Sequence, residues 1–106
     1  MRDAVINLVN VRILGGLEPP EETSRRRVFA AKLSAHRSEF YMAHREGMQA
    51  DAVFEVHVAE YENENRVEHD GARYRVLRTY QKRNRERVEL VCSDLRETEE
   101  AEPAWA

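Results

Sequence analysis

The chain has 106 residues and a formal net charge of −3, from 17 basic and 20 acidic side chains. We predict one domain with a single core over residues 1–96, followed by an acidic tail over residues 97–106. The charge balance argues against binding of nucleic acid through bulk charge alone. The lack of a long apolar run argues against a membrane span, and a single cysteine, Cys92, excludes an internal disulfide.

The first predicted element is a strand over residues 4–14. Ile6 and Leu8 share one phase of the alternation, whereas Val9, Val11 and Ile13 share the other. This change of phase indicates either a β-bulge or a strand that contributes to two surfaces. A polar loop is predicted next, over residues 17–24, because its two prolines lack donors for a strand ladder.

Two more strands are predicted over residues 26–34 and 52–61. One face of the former carries Phe29, Ala31 and Leu33, and alternate side chains from Phe29 onwards are expected to close the core. The latter has an inward set and an outward set of side chains. The inward set is Phe54, Val56 and Val58, and the outward set is Glu55, His57 and Ala59.

A short helix is predicted between these two strands, over residues 36–47. Ser38 can cap the N-terminus of this helix, and Gly47 ends it. Phe40 and Tyr41 lie at its start. Two aromatic residues in this position either plug the open end of a small barrel or form a knob that binds a partner.

The remaining strands are predicted over residues 66–69, 73–80 and 86–93. Asp70-Gly71, between the first two of them, is a strong hairpin signal. The predicted fold class is therefore mainly β, a small antiparallel β-barrel of about six strands with one short α-helix and long flexible loops.

Arginine and tyrosine are concentrated on the ribbon that follows this turn. Residues 73–87 carry seven basic side chains and one acidic side chain. Tyr74 shares its phase with Val76 and is predicted to face the core, which turns Arg73, Arg75, Leu77 and Thr79 outward. The ribbon is a nucleic-acid surface, a protein interface or an ordinary solvated sheet face. Its candidate interface residues are Arg73, Arg75, Arg78, Arg83 and Arg85.

Residue types that carry catalysis or bind metals are present, but not at diagnostic spacing. The four histidines are scattered, and neither a C-x-x-C nor an H-x-x-x-H pair occurs. Cys92 falls in the inward phase of the last strand, where a buried and inert thiol is usual. The sequence predicts an interaction protein rather than an enzyme, with no metal and no cofactor.

Four motifs follow one another over residues 28–92. They are SEFY-x-A followed by Gly47, an F-x-V strand that ends at Tyr61, the hairpin V-x-x-D-G-x-x-Y-x-V-x-R-T-Y, and the closing V-E-L-V-C. In the order and spacing of these motifs the chain resembles the head–tail adaptor proteins (head-completion or head–tail joining proteins) of long-tailed bacteriophages and prophages. The matching pieces are residues 28–61 and 65–92, and the acidic tail lies outside them.

The resemblance implies structural work without turnover. Such proteins form a ring below the portal and adaptor, close or extend the DNA channel, and provide the platform for the tail. The implied partners are the portal or adaptor ring, neighbouring copies in a dodecameric ring (with monomers before assembly), and a tail-completion protein. DNA is enclosed without sequence-specific binding, and no membrane is involved. The implied location is the host cytoplasm during assembly and then the head–tail interface of the virion.

In such a ring, subunit contacts are expected from Phe40, Tyr41 and the arginine ribbon. The predicted channel loop carries Glu18, Glu21 and Glu22, and the acidic turn at residues 62–65 is the alternative channel loop. The alternative function is a small β-barrel that binds single-stranded nucleic acid through the arginine ribbon.

Overall fold

A computed structural model describes residues 4–34, 37–40, 50–82 and 86–95. These residues form six β-strands and one 3-10 turn, Val58–Glu60. The strands are β1 (Ala4–Arg12), β2 (Glu21–Leu33), β3 (Ala52–His57), β4 (Arg66–His69), β5 (Ala72–Gln81) and β6 (Arg87–Asp94). The predicted mainly-β class and its six strands are confirmed.

The strand pairings are all antiparallel, and they close on themselves. The order around the barrel is β1-β2-β3-β6-β5-β4, and β1 pairs with β4 through Asn7, Leu8 and Val9. Each described strand thus has a partner on both sides along part of its length. Closure removes the open edges through which flat sheets associate.

Side chains of one phase fill the interior of the barrel. Every strand contributes buried residues, from Ile6 on β1 to Cys92 on β6. Phe54 packs edge-to-face against Tyr74, with ring centroids 5.5 Å apart. The predicted inward phase of Phe54, Val56, Tyr74 and Cys92 is confirmed.

A two-residue turn, Asp70-Gly71, joins β4 to β5 as the sequence predicts. Both residues have positive φ angles, 51° and 82°. A hairpin turn that matches the twist of its strands needs this left-handed backbone, which glycine adopts without strain and aspartate tolerates. The turn sets the register that places Val67 opposite Tyr74 inside the barrel.

Of the two explanations predicted for the change of phase in β1, the structure bears out the second, a strand that contributes to two surfaces. Val9 is buried although it lies on the opposite face of the strand from Ile6 and Leu8. The register between the two strands then shifts between Asn10 and Val11, and the extra residue of this β-bulge is Thr23 on β2. β1 therefore serves two surfaces, whereas the bulge lies in its partner strand.

Asn65 completes the pairing of β1 beyond the end of β4. Its side-chain oxygen accepts a hydrogen bond from the Val11 N–H at 3.0 Å, and its amide nitrogen donates to the Val11 carbonyl at 2.9 Å. One side chain thus takes the place of a strand residue for both backbone groups of Val11.

Replacing Asn65 by alanine is expected to lower the free energy of unfolding by about 1–3 kcal/mol, because both part-buried groups of Val11 lose their partner. Urea denaturation followed by circular dichroism measures this loss. Asn65→Asp is the companion variant, since its carboxylate can accept from the N–H but cannot donate to the carbonyl. A loss below about 0.5 kcal/mol for the alanine variant, as for an ordinary surface site, contradicts this role.

The predicted loop over residues 17–24 is shorter in the structure, because β2 already begins at Glu21. Residues 17–20 lack ladder pairing, whereas those after them pair with β1, apart from Thr23 at the bulge. Arg12 lies opposite Glu21, and Val11 lies opposite Glu22. The ion pair between Arg12 and Glu21 favours this extension of the ladder.

Phe29 lies outside the barrel, so the expectation that it belongs to the core is wrong. Its side chain is 59% exposed, whereas its neighbours Val28 and Ala30 are buried in the interior. The large aromatic ring therefore occupies the outward phase, and the smaller side chains occupy the inward one. Its cross-strand partner, Val5, is exposed as well.

The predicted inward position of Val58 is also wrong, because β3 ends one residue earlier. His57 accepts a hydrogen bond from the backbone N–H of Ala59 through its Nδ1 atom, at 3.1 Å, and so caps the 3-10 turn. Val58 begins that turn and is exposed.

The predicted helix over residues 36–47 lies almost wholly outside the described residues. Glu39 and Phe40, which are described, have helical backbone geometry directly after Ser38. Within the described ranges, no helix is long and apolar enough to cross a membrane.

Candidate functional site: the arginine face, the covered face and the arm

The outside of the barrel has two different sides. On β3 and β6, outward side chains are buried, as if they belonged to a core. They are Val53, Glu55, Glu89 and Val91. We call this surface, together with the segment Ser38 to Phe40 that lies on it, the covered face.

Glu89 fixes this segment to the sheet. Its fully buried carboxylate accepts hydrogen bonds from the Ser38 hydroxyl at 2.6 Å, from the Glu39 N–H at 2.8 Å and from the Phe40 N–H at 3.2 Å. Backbone N–H groups at the start of a helical segment have no acceptor within the helix. The carboxylate of Glu89 supplies that acceptor from a strand.

Lys82 lies between two carboxylates of the covered face. Glu55 and Glu89 are direct cross-strand partners, an arrangement of like charges that is unfavourable alone. The Nζ atom of Lys82 lies 2.5 Å from the Glu55 carboxylate and 3.7 Å from that of Glu89. Desolvation works against the charged amine, but the Glu55 hydrogen bond and the neighbouring carboxylates outweigh it and raise the pKa of Lys82. Lys82 is thereby held as an ammonium ion, whose charge offsets part of the repulsion between the two carboxylates.

Phe40 is part of the covered face, which corrects the expectation that it contacts a partner. Its side chain is fully buried, and its ring meets that of Tyr80 edge-to-face, with centroids 6.2 Å apart. It therefore presents no surface on the folded chain. Tyr41, the other aromatic residue of the predicted knob, lies outside the described residues.

The other side of the barrel carries the three predicted interface arginines that the structure describes, Arg73, Arg75 and Arg78. On the adjacent strands β2, β1, β4 and β5, the outward positions of the described residues include six arginines. They are Arg25, Arg27, Arg66, Arg73, Arg75 and Arg78. We call this surface the arginine face. Two predicted members of the interface, Arg83 and Arg85, lie outside the described residues.

A bulge in β5 brings Arg78 onto this face. The register with β6 shifts at Leu77, which lies between two ladder pairs. Strict alternation predicts Leu77 and Thr79 to face outward, but beyond the bulge Arg78 and Tyr80 take the outward phase. Thr79 remains exposed, yet it lies opposite the core residue Leu90.

Two carboxylates accompany the arginines on this face, and both bond to Arg25. Arg25 donates to Glu22 at 2.8 and 3.0 Å and to Glu68 at 2.7 and 3.0 Å. These hydrogen bonds, more than any other cause, raise the pKa of Arg25 and lower the pKa values of Glu22 and Glu68. The arginine face keeps an excess of positive charge, because its other five arginines outnumber the carboxylates.

Arg66 and Arg75 concentrate this charge, because they are direct cross-strand partners. Like charges directly opposite each other weaken a strand pair. Val9 pairs with Arg25 on one side and with Arg66 on the other. The aliphatic stems of such arginines can cover an outward valine, which accounts for its burial.

Acid is expected to weaken the fold through Glu68. The hydrogen bond from Arg25 holds the folded pKa of Glu68 below its ordinary value of 4.5. The unfolded chain therefore binds the proton first, and the stabilisation that is present above pH 4.5 is lost as the pH falls through the lower folded value. Glu68→Gln is expected to remove this part of the acid sensitivity of Tm. Equal dependence of Tm on pH in the variant and the wild type contradicts the assignment.

The β1–β2 hairpin extends past the barrel as an arm, which we define as residues 12–21. β4 pairs with β1 only as far as Val9. The tip of the arm carries three exposed apolar side chains. They are Ile13 at 65% exposure, Leu17 at 75%, and Leu14. Apolar side chains this exposed are typical of surfaces that another molecule covers.

The predicted channel-loop residues are divided between two places. Glu18 lies at the tip of the arm, as a loop residue should. Glu21 and Glu22 lie on β2 instead and form ion pairs with Arg12 and Arg25. Their carboxylates are engaged in the ladder rather than displayed on a loop.

The alternative channel loop, residues 62–65, is tied to the barrel. Glu64 is buried and accepts hydrogen bonds from Arg26 at 2.7 Å and from the Glu62 N–H at 2.8 Å. The Tyr61 hydroxyl donates to the Glu64 carbonyl, and desolvation raises the pKa of Tyr61 to about 12. Of the two acidic side chains of this turn, that of Glu64 is thus used to build the fold, whereas that of Glu62 is exposed.

The described histidines and the cysteine have structural contacts. His57 caps the 3-10 turn, and His69 packs against Phe54 with centroids 5.4 Å apart. Burial raises the pKa of the Cys92 thiol. No group of three or more possible ligands is placed to hold a metal ion within the part of the chain that the structure describes. His36 and His44 lie outside that part.

Sequence reasoning missed half of the arginine face. The run Arg25 to Arg27 was visible, and period-two alternation puts its first and third members on one face. Arg66 needed the hairpin register, which places it opposite Arg75.

No protein-family model, curated protein or solved structure matches the chain.

Proposed function

We propose that this protein is a structural subunit of a bacteriophage head–tail connector. In this role it forms a ring below the portal or adaptor, completes the DNA-filled head and provides the platform to which the tail attaches. The order of the motifs over residues 28–92 supports the proposal. The single structural observation that carries it is the arginine face.

The arginine face has the chemistry of a protein docking surface. Arginine presents a planar set of donors that pairs with carboxylates, and it is enriched in interfaces where lysine is depleted. An acidic surface on the portal or adaptor ring complements this face, and such complementarity chiefly sets register and partner choice.

Co-sedimentation with a purified portal–adaptor ring from the same phage or prophage tests the proposal. The wild-type chain is expected to bind, and binding is expected to weaken as salt rises, because exposed charges are screened. The triple variant Arg73→Glu/Arg75→Glu/Arg78→Glu is expected to lose binding. A wild type that does not join the ring, or a triple variant that joins it equally well, overturns the proposal.

The matched control reverses charges elsewhere. Lys32→Glu/Arg37→Glu changes two exposed basic residues outside the arginine face. This variant is expected to bind the ring like the wild type. Loss of binding in both variants would point to net charge alone and would count against a specific docking surface.

A second candidate function is the binding of single-stranded nucleic acid. The observation that favours it is Phe29, an exposed aromatic ring beside Arg27, since bases stack on such rings while arginines contact phosphates. Oligonucleotide binding measured against salt concentration discriminates, because phosphate contacts give a steep linear fall of log K with log salt. Binding that Phe29→Ala and the triple arginine variant leave unchanged excludes this candidate.

A further inference from the structure

The exposed apolar side chains of the β1–β2 ribbon form two groups at opposite ends. One is the tip of the arm, with Ile13, Leu14 and Leu17. The other is the cross-strand pair of Val5 and Phe29 on the outside of the barrel. We call the second group the ribbon patch.

The two groups cannot cover each other within one chain. Val5 and Ile13 are eight residues apart on the same extended segment, which is roughly 26 Å at about 3.3 Å per residue. The ribbon between them is an antiparallel ladder from Ala4 to Arg12 that one β-bulge interrupts. A contact between the tip and the ribbon patch therefore requires two copies of the chain.

The two groups also carry complementary charge. Glu18 lies at the tip and is exposed, and its side chain is acidic next to Leu17. Arg27 lies two residues from Phe29 on the same outward face of β2 and is exposed as well. An apolar contact that has an acidic edge on one partner and a basic edge on the other favours one relative orientation of the two partners.

We propose that the tip of the arm docks on the ribbon patch of a second copy of this protein. The inference deepens the proposed function, since it names the contact between neighbouring copies that a connector ring requires. The contact is heterologous, because each copy uses a different surface on each side. Such a contact closes into a ring when its rotation allows, and otherwise continues as a filament.

Sedimentation velocity of the wild type up to millimolar concentration, with two surface variants, tests this contact. The tip variant is Ile13→Ser/Leu17→Ser, and the patch variant is Phe29→Ser. Each alone is expected to weaken self-association at least about tenfold, which is about 1.4 kcal/mol. Because these side chains are exposed, both variants are expected to keep the circular dichroism spectrum of the wild type.

Mixing the two variants gives the decisive result. The patch variant still has an intact tip, and the tip variant still has an intact ribbon patch. An equimolar mixture is expected to form one-to-one pairs that do not grow further. Native mass spectrometry resolves the pairs when one variant is isotopically labelled. The control Leu77→Ser removes an exposed apolar side chain elsewhere and is expected to associate like the wild type.

A charge exchange provides a second, independent arm of the test. Glu18→Arg and Arg27→Glu are each expected to weaken association, and mixing the two is expected to restore it. A wild type that stays monomeric throughout, variants that associate normally, or mixtures that form no pairs each overturn the inference. Portal binding through Arg73, Arg75 and Arg78 is a separate measurement. If portal binding is retained but self-association fails, only the inference is overturned. If self-association occurs but portal binding fails, only the proposed function is overturned.

Discussion

Replacing Glu89 by alanine is expected to lower the free energy of unfolding by about 3–5 kcal/mol, the range typical of breaking a buried charged interaction. Glu89 is fully buried. Its removal takes this charged acceptor away from the Ser38 hydroxyl and from the N–H groups of Glu39 and Phe40. Donors that remain buried after losing a charged partner keep their full desolvation cost. Urea denaturation at neutral pH measures the loss.

Two further glutamate variants make this result specific. Glu18→Ala removes an exposed carboxylate from the arm and is expected to change stability by less than about 0.5 kcal/mol. Glu89→Gln keeps the shape and one acceptor oxygen, so its loss is expected to fall between the other two. If Glu89→Ala unfolds at the same urea concentration as Glu18→Ala, then Glu89 does not hold the covered face together.

The interior of the barrel could be predicted from the sequence because its signals are local. Phe54 and Val56 alternate with polar residues on one strand, and Asp70-Gly71 fixes the hairpin that aligns Tyr74. Each of these patterns involves residues within a few positions of one another. Period-two alternation and turn chemistry suffice in such segments.

The outer surfaces could not be predicted in the same way, because they depend on distant contacts and on one extra residue. Glu89 looks like a solvated residue in its strand, and it is buried because the segment Ser38 to Phe40, distant in sequence, lies over it and donates to its carboxylate. No glycine marks the bulge at Leu77 in the sequence. The register shift there nevertheless turns the side chains of Arg78 and Tyr80 outward. Tertiary packing, not local pattern, determines these positions.

The candidate site was predictable to the extent that it follows alternation on one strand. Arg73 and Arg75 could be placed outward from Tyr74 alone, before any register was known. The apolar tip of the arm could not, because Ile13 reads as a strand residue and the loop after it as acidic and polar. Its exposure follows from how far β1 and β2 continue past β4, which is a property of pairing across the barrel.

Replacing Phe40 by alanine is expected to lower the free energy of unfolding by about 3–5 kcal/mol, as for other fully buried phenylalanines. The ring is buried and meets Tyr80 edge-to-face, so truncation leaves a cavity on the covered face. Phe29→Ala is the matched control, because it makes the same change on an exposed side chain and is expected to cost less than about 0.5 kcal/mol. A partner-binding role for Phe40 predicts the opposite, with unchanged stability and lost binding.

The double variant Glu89→Ala/Phe40→Ala connects the two largest effects. Glu89 holds the backbone of the segment Ser38 to Phe40, and the Phe40 ring anchors the same segment to β5. Once either contact is removed, the other can no longer make its full contribution. The combined loss is therefore expected to fall short of the sum of the single losses by about 0.5–3 kcal/mol. Strict additivity would show that the carboxylate and the ring act independently, and that the covered face is not one cooperative unit.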